Sequence, residues 1–323
     1  MHKFFFLFVL LFSTLAHANS FKLIALGVNG GLTDGNLSAY LLRANTSSNY
    51  ISLDAGTLVL GLEIAKGKHA YEGTLANMLA HHLPFYLISH AHLDHILGLS
   101  MAQPDLHQHQ TILARQETLT ALEQHIFNWS VWANFSDGPV KPALKWQHNE
   151  VLPLQTPFKL VNTDLNVKAY PLNHGHNYPS TAFLIQSEDQ HAILYFGDTG
   201  ADSIEHVHNM ENIWRDVAPL IRAKKLSAIL LECSYTNDRP DAQLFGHLKP
   251  SLYLATLTQL AKLVAPEHPD TALNSVKFFI THIKPQLNTL PGNATQRKIL
   301  QQLKKNKLNL HLILPTQGQT FSL

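Results

Sequence analysis

Disulfides are excluded at the outset, because the 323 residues contain a single cysteine, Cys233. Stability must come from an apolar core. Cys233 closes the apolar run 227–233, which reads as a small core position and not as a catalytic thiol. An excess of one charge is also missing: 24 Lys and Arg stand against 23 Asp and Glu. That balance argues against a partner that is a nucleic-acid polymer, which calls for a basic face, yet it permits a local positive site built by metal ions. Beyond the first eighteen residues no apolar run is long enough to span a bilayer. Low-complexity segments and short tandem repeats are lacking too. Histidine, in contrast, is abundant, at 21 residues.

Residues 1–18 have the layout of a secretory signal peptide: Lys3 gives a positive start, 4–15 are almost wholly apolar, and Ala16-His17-Ala18 supplies small residues for cleavage. The expectation is an exported protein, periplasmic or secreted, with no membrane attachment after cleavage. Residues 19–323 are then the working part.

Short β-type runs alternate with stretches of helical pattern, which points to an α/β layered fold. Strands are expected at 21–27, 37–43, 50–53, 85–89, 111–114, 165–172, 181–187, 192–196, 227–231, 276–281 and 310–314, and helices at 72–82, 115–125, 213–224, 252–264 and 294–304. The stretch 128–153, rich in Trp, Pro and Asn, reads as an irregular insertion beside a binding face.

Several apolar runs stop at an ionisable residue: Asp54, His90, Asp198, Glu232 and His282. Such groups are costly along a buried strand, but at strand ends they can converge on one site. The runs 85–90 and 278–282 share a form, aromatics then Ile then Ser or Thr then His, which hints at an old duplication. The densest cluster is His90-Ala91-His92-Leu93-Asp94-His95. His90 and His92, two apart in extended chain, can point the same way, and Asp94 and His95 follow where a helix begins. Imidazole with carboxylate suits zinc, and also manganese or iron. Gly98 would let that helix approach the sheet closely.

The run His90-x-His92-x-Asp94-His95 resembles the signature of the metallo-β-lactamase superfamily, whose fold is an αββα four-layer sandwich. In the longer form through Leu93, Ile96, Leu97, Gly98 and Leu99 it is similar to the class II cyclic-nucleotide phosphodiesterases. Further segments in the same order carry that resemblance: Gly30-Gly31, Asn36, 53–57, 126–128 with Trp132, 196–200, 232–235, 245–248 and 281–285. Trp132-Ala133-Asn134 departs from it where a proline is expected. One catalytic domain over 19–323 is implied.

The resemblance implies two divalent metal ions, with zinc expected. His90, His92, His174 and Asp198 would hold one, and Asp94, His95, Asp198 and His282 the other. His176 competes with His174, which is favoured because Gly175 follows it. Asp54 reads as a residue orienting ligands, or as a simple turn aspartate. The implied reaction is hydrolysis of a small-molecule 3′,5′-cyclic nucleotide (cAMP or cGMP) to the 5′-monophosphate by a hydroxide between the ions. Asp94, His247 and Glu232 are the candidate catalytic residues, with His247 the proton donor to the departing alkoxide and Glu232 orienting it and raising its pKa. Lys284 faces either a phosphate or solvent. Rival readings are a lactamase or lactonase, which would not need Gly246-His247, an arylsulfatase or general phosphodiesterase, and a zinc carrier, which would advertise a mobile His-rich run that this chain lacks.

Overall fold

The computed structural model describes residues 19–106 and 110–323. The signal peptide expected at 1–18 lies outside the described residues. The strands are β1 (Phe21–Gly27), β2 (Ala39–Ala44), β3 (Ile51–Leu53), β4 (Phe85–Leu87), β5 (Gln110–Ala114), β6 (Gln147–Val151), β7 (Pro157–Leu160), β8 (Leu165–Asn173), β9 (Pro179–Ser187), β10 (Ala192–Phe196), β11 (Leu226–Glu232), β12 (Lys277–Thr281), β13 (His311–Ile313) and β14 (Thr320–Ser322). The helices are α1 (Val59–Gly67), α2 (Leu75–His81), α3 (Leu93–Ala102), α4 (Gln116–Ala121), α5 (Asp202–Glu205), α6 (Asn209–Arg222), α7 (Pro250–Val264) and α8 (Ala294–Leu303).

Two seven-stranded sheets form, in the orders β14-β1-β2-β3-β4-β5-β6 and β13-β12-β11-β10-β9-β8-β7. Successive side chains on a strand point to opposite faces, and here both faces are buried. Leu23 and Ala25 of β1 face the second sheet with Tyr40, Leu53 and Leu87, against Phe183, Tyr195, Leu230 and Phe279. Ile24 and Leu26 turn the other way, under Leu62 of α1, Met78 of α2, Leu99 of α3 and Leu119 of α4. On the far side Leu194, Ile229 and Phe278 pack beneath Trp214 of α6, Leu257 of α7 and Ile299 of α8. Helix, sheet, sheet and helix are thus stacked in four layers, as expected. Burial of each large apolar side chain contributes roughly 1.5–3 kcal/mol, which is why these strands read as nearly continuous hydrophobic runs.

The pairing pattern repeats. From β1 to β6 the neighbours are antiparallel, antiparallel, parallel, parallel, parallel, and from β8 to β13 the order is the same. This repeat makes β4 the counterpart of β11, and β3 that of β10. The sequence likeness between 85–90 and 278–282 therefore joins strands that are not equivalent: the counterpart of β4 is β11, which ends in Glu232, while β3 and β10 form another pair, followed by Asp54 and Asp198.

Helices α1 and α5 have no counterpart among the expected helices, and the missed strands lie at edges. β6, β7 and β14 were not legible. β6 runs Gln-His-Asn-Glu-Val within the stretch expected to be irregular, and it pairs parallel to β5. An edge strand with one neighbour can carry polar side chains on both faces, so no apolar alternation marks it. The helix expected at 115–125 is α4 followed by a wider turn, Leu122–Ile126, with π-type bonding.

Candidate metal centre

Asp54, His90, Asp198, Glu232 and His282 lie at or just past the C-terminal ends of β3, β4, β10, β11 and β12. In parallel sheets those ends share one edge, so five residues spread over the chain arrive at one place. His92 is the N-cap of α3, and Asp94 and His95 occupy its first turn, where a carboxylate is favoured by the helix dipole. His174 sits in the turn joining β8 to β9, held by its own N–H donating to the Tyr178 carbonyl at 2.9 Å.

The centre of the site is one oxygen, Asp198 Oδ2. His282 Nε2 lies 3.2 Å from it, His95 Nε2 3.3 Å, His174 Nε2 3.7 Å, His90 Nε2 3.8 Å and His247 Nδ1 3.8 Å. The potential ligand atoms of His90, His92 and His174 lie within 4.8 Å of one another, and so do those of Asp94, His95, Asp198 and His282. The structure therefore brings together all seven residues named as ligands, in two adjoining groups that Asp198 touches. His176 is exposed and outside both groups.

Which ring nitrogen faces inward follows from what the other one does. Ser89 Oγ donates to Asp54 Oδ2 at 2.8 Å, so it accepts from His90 Nδ1–H at 3.0 Å. His95 Nδ1–H donates to Asp54 Oδ2 at 2.7 Å, and His174 Nδ1–H to the Gly246 carbonyl at 2.8 Å. Ser234 Oγ donates to Glu232 Oε2 at 2.6 Å and accepts from His282 Nδ1–H at 3.0 Å. Each of these four imidazoles spends its outer N–H on a fixed partner and turns the Nε2 lone pair inward, the arrangement that metal-binding histidines adopt. With every ring neutral, ring nitrogens without protons face each other: His95 Nε2 is 3.2 Å from His282 Nε2, and His92 Nδ1 is 3.3 Å from His174 Nε2. His90 Nε2 is buried with no hydrogen-bond partner. A buried unpartnered nitrogen is costly, and a cation between these atoms removes the conflict. The donor set fits divalent metal.

The electrostatics agree. Burial, with neighbouring imidazoles, holds His90 well below the ordinary range, takes His92 to about 4 and lowers His174, so all three are neutral and able to ligate. For His95 burial acts downward, but Asp198 and Asp54 hold it well above the ordinary range; that proton is the charge a metal ion would replace. Burial would raise Asp198 and Asp94, yet the surrounding histidines hold both carboxylates below their usual range.

Glu232 and His247 form a second layer. Glu232 is fully buried and accepts from Thr199 N–H at 3.0 Å and Leu248 N–H at 3.3 Å, and its Oε1 lies 2.8 Å from His247 Nδ1. Burial, helped by Asp198, pushes Glu232 up to about 7, and burial pulls His247 down to about 3. Both shifts disfavour separated charges and favour Glu232 Oε1–H donating to Nδ1 of a neutral His247, whose own proton then lies on Nε2; the raised His247 pKa expected from Glu232 is not found. Its ring stacks on His282, with centroids 5.3 Å apart.

Two glycines allow this closeness. A Cβ on Gly246, at φ +76, would meet Gly175 N at 2.1 Å, so the turns bearing His174 and His247 touch backbone to backbone. That contact is the physical meaning of the glycine after His174. A Cβ on Gly30 would strike the His282 ring at 2.3 Å. Gly98 does permit a close approach, but to the loop after β3, where its Cβ would sit 2.5 Å from Leu58 N.

Asp54 is no simple turn residue. Fully buried at φ +53, it accepts from Ser89 N–H at 2.7 Å, Ser89 Oγ at 2.8 Å, His95 Nδ1 at 2.7 Å and Tyr195 OH at 2.6 Å. Ser89, Ser234 and Tyr195 were missed as functional positions. The only trace of the first two was a serine beside each strand-end acid or histidine. Lys284 Nζ lies 3.8 Å from Asp94 Oδ2. Cys233 is buried in the core, where burial pushes its thiol up.

Comparison with known proteins fits this picture. The sequence pattern of the family described as cAMP phosphodiesterases class-II matches residues 19–318. A Yersinia pestis protein named a probable 3′,5′-cyclic-nucleotide phosphodiesterase is 35% identical over 321 residues, covering 96% of this chain and 91% of that protein. The crystal structure of unliganded yeast PDE1 superposes with a TM-score of 0.80 at 21% identity, over 94% of this chain and 100% of that one. A Bacillus subtilis metallo-β-lactamase fold protein, YhfI, superposes at 0.61 with 14% identity, over 94% and 99%. At such identities the two structures establish the fold, the metallo-β-lactamase sandwich.

Proposed function

The chain belongs to the class-II cAMP phosphodiesterase family, and on that premise we propose that its strand-end cluster holds two divalent metal ions and opens the ring of 3′,5′-cyclic nucleotides at the 3′ oxygen, leaving a 5′-monophosphate. It is a metal-dependent cyclic-nucleotide phosphodiesterase. The observation that carries the two-ion reading is the convergence of inward-facing imidazole nitrogens on Asp198 Oδ2, with His90 Nε2 buried and unpartnered.

In this reading His90, His92, His174 and Asp198 hold one ion, and Asp94, His95, Asp198 and His282 the other. The imidazole-rich donor set supports zinc as the resident ion. Bound ions supply positive charge against the phosphoryl oxygens and lower the pKa of water at the site. The protein's own groups do the rest. Asp54, Ser89, Ser234 and the Gly246 carbonyl fix the ligand tautomers, so the site needs no rearrangement before use. His247 gives its Nε2 proton to the departing 3′ oxygen, and the proton shared with Glu232 moves onto Nδ1. The pair thus delivers one proton without a buried imidazolium persisting. The N-terminal layout at 1–18 supports export, so the proposed site of action is the periplasm or the medium.

Two variants separate the roles. Asp198→Ala is expected to lose bound metal and turnover together. His247→Ala is expected to keep its metal while kcat falls by roughly 10²–10⁴. Full activity in the Asp198 variant would overturn the assignment of the centre.

A further inference from the structure

Beside the metal ligands lies a cavity of about 410 Å³, walled in part by Gly31, Leu32, Tyr235, Arg239, Lys284 and Gln286. It adjoins the centre on two sides. Lys284 Nζ is 3.8 Å from Asp94 Oδ2, and the Tyr235 ring meets His247 edge-on at 5.7 Å. Its walls hang from the backbone that carries the site: Lys284 N–H donates to the Ser234 carbonyl at 3.0 Å, and Tyr235 N–H to that of Leu248 at 3.3 Å. A nucleotide whose phosphate lies at the metal ligands therefore has this cavity within reach of its base.

The charge of the walls is one-sided. Arg239 and Lys284 carry only donors, and no carboxylate lines the cavity. The Arg239 guanidinium packs on two rings, 4.6 Å from the centroid of Tyr235 and 5.6 Å from that of Phe245, and its Nε–H is committed to the Gln243 carbonyl at 2.9 Å. The arginine is thus held rigid, with its terminal amino groups left to face a ligand. On the edge away from base pairing, guanine presents two acceptors, O6 and N7, which a guanidinium matches two for two. Adenine presents an amino donor and one acceptor there, so the arginine can pair with only one of its two groups.

We propose that this cavity is the nucleobase subsite, that Arg239 donates to O6 and N7 of guanine there, and that the enzyme therefore prefers cyclic GMP to cyclic AMP. The inference rests on the phosphodiesterase reading above. Lys284, between cavity and ligands, stands on the phosphate side.

The test compares kcat/KM for the two nucleotides in the metal-loaded wild type and in Arg239→Lys, which keeps the charge but not the planar fork. The wild type should favour cyclic GMP by roughly tenfold, mainly through KM, and Arg239→Lys should bring the ratio to within about twofold of one. A wild type that favours cyclic AMP, or a ratio that Arg239→Lys leaves unchanged, overturns the proposal. Bis(p-nitrophenyl) phosphate, which has no base, guards against a merely structural role: if its hydrolysis falls in step with that of cyclic GMP, Arg239 only braces the loop and the proposal fails. Calorimetric binding of 5′-GMP and 5′-AMP reads the subsite even if neither cyclic nucleotide is cleaved, an outcome that would remove the phosphodiesterase reading separately. Tighter binding of GMP, lost in Arg239→Lys, supports the subsite, and equal binding of the two overturns it.

Discussion

Replacing Asp54 by asparagine changes one atom of a residue that touches no metal in the proposed centre, and it should still weaken metal binding. Asp54 Oδ2 accepts from three donors: Ser89 Oγ, His95 Nδ1 and Tyr195 OH. Oδ1 accepts from the Ser89 N–H. An asparagine must place its amino group on one side or the other. On the Oδ2 side the two hydroxyls can rotate, but His95 cannot accept at Nδ1 unless its proton moves to Nε2, the atom that faces the ions. On the Oδ1 side the amino group meets the Ser89 N–H, donor against donor, in a fully buried place. Either choice leaves a buried polar group unmatched, at about 1–3 kcal/mol, which agrees with the 10–100-fold loss in metal affinity typical when a group orienting a ligand is changed. Competition with a chromogenic zinc chelator measures that affinity, and near-ultraviolet dichroism checks that the fold is retained. An Asp54→Asn protein that is folded and binds zinc within twofold of the wild type would refute the reasoning about ligand tautomers.

Two further outcomes follow from the same geometry. Gly246→Ala should destabilise the fold by about 1–3 kcal/mol through its positive φ, and more through the 2.1 Å clash with Gly175 N; chemical denaturation reads the first effect, and loss of metal the displacement of His174. Protonation of the metal-free protein should also be visible. His92 has a folded pKa of about 4 against an ordinary 6.5, so its contribution to stability is full above 6.5 and is lost as pH falls from there toward 4. The melting temperature of the metal-free wild type should fall across that window, and His92→Gln should flatten the slope. An equally steep profile in the variant would refute the assignment to His92.

Much of the site was legible because parallel strands gather their ends along one edge, so ionisable residues closing apolar runs at Asp54, His90, Asp198, Glu232 and His282 advertise convergence in the sequence itself. The family resemblance supplied His174, and the Gly175–Gly246 contact shows why a glycine marks it. The residues that fix the ligands were not legible. Ser89, Ser234 and Tyr195 act through bonds made only in the folded chain, such as the one from Tyr195 to Asp54 across 141 positions. In sequence they look like ordinary polar or aromatic strand residues. Edge strands failed for a related reason: β6 is polar on both faces, and only its pairing with β5 makes it a strand. The duplication was legible in part. Shared composition drew attention to β4 and β12, while hydrogen-bond order pairs β4 with β11.

The central claim is tested most directly by identifying the product. Metal-loaded protein lacking residues 1–18 is incubated with cyclic AMP and with cyclic GMP, and the nucleotides are separated by chromatography alongside a metal analysis of the same sample. Nucleoside 5′-monophosphate is expected as the sole product, at a rate that follows metal content and vanishes on chelation. A 3′-monophosphate product, or undiminished turnover in protein shown to be free of metal, would contradict it.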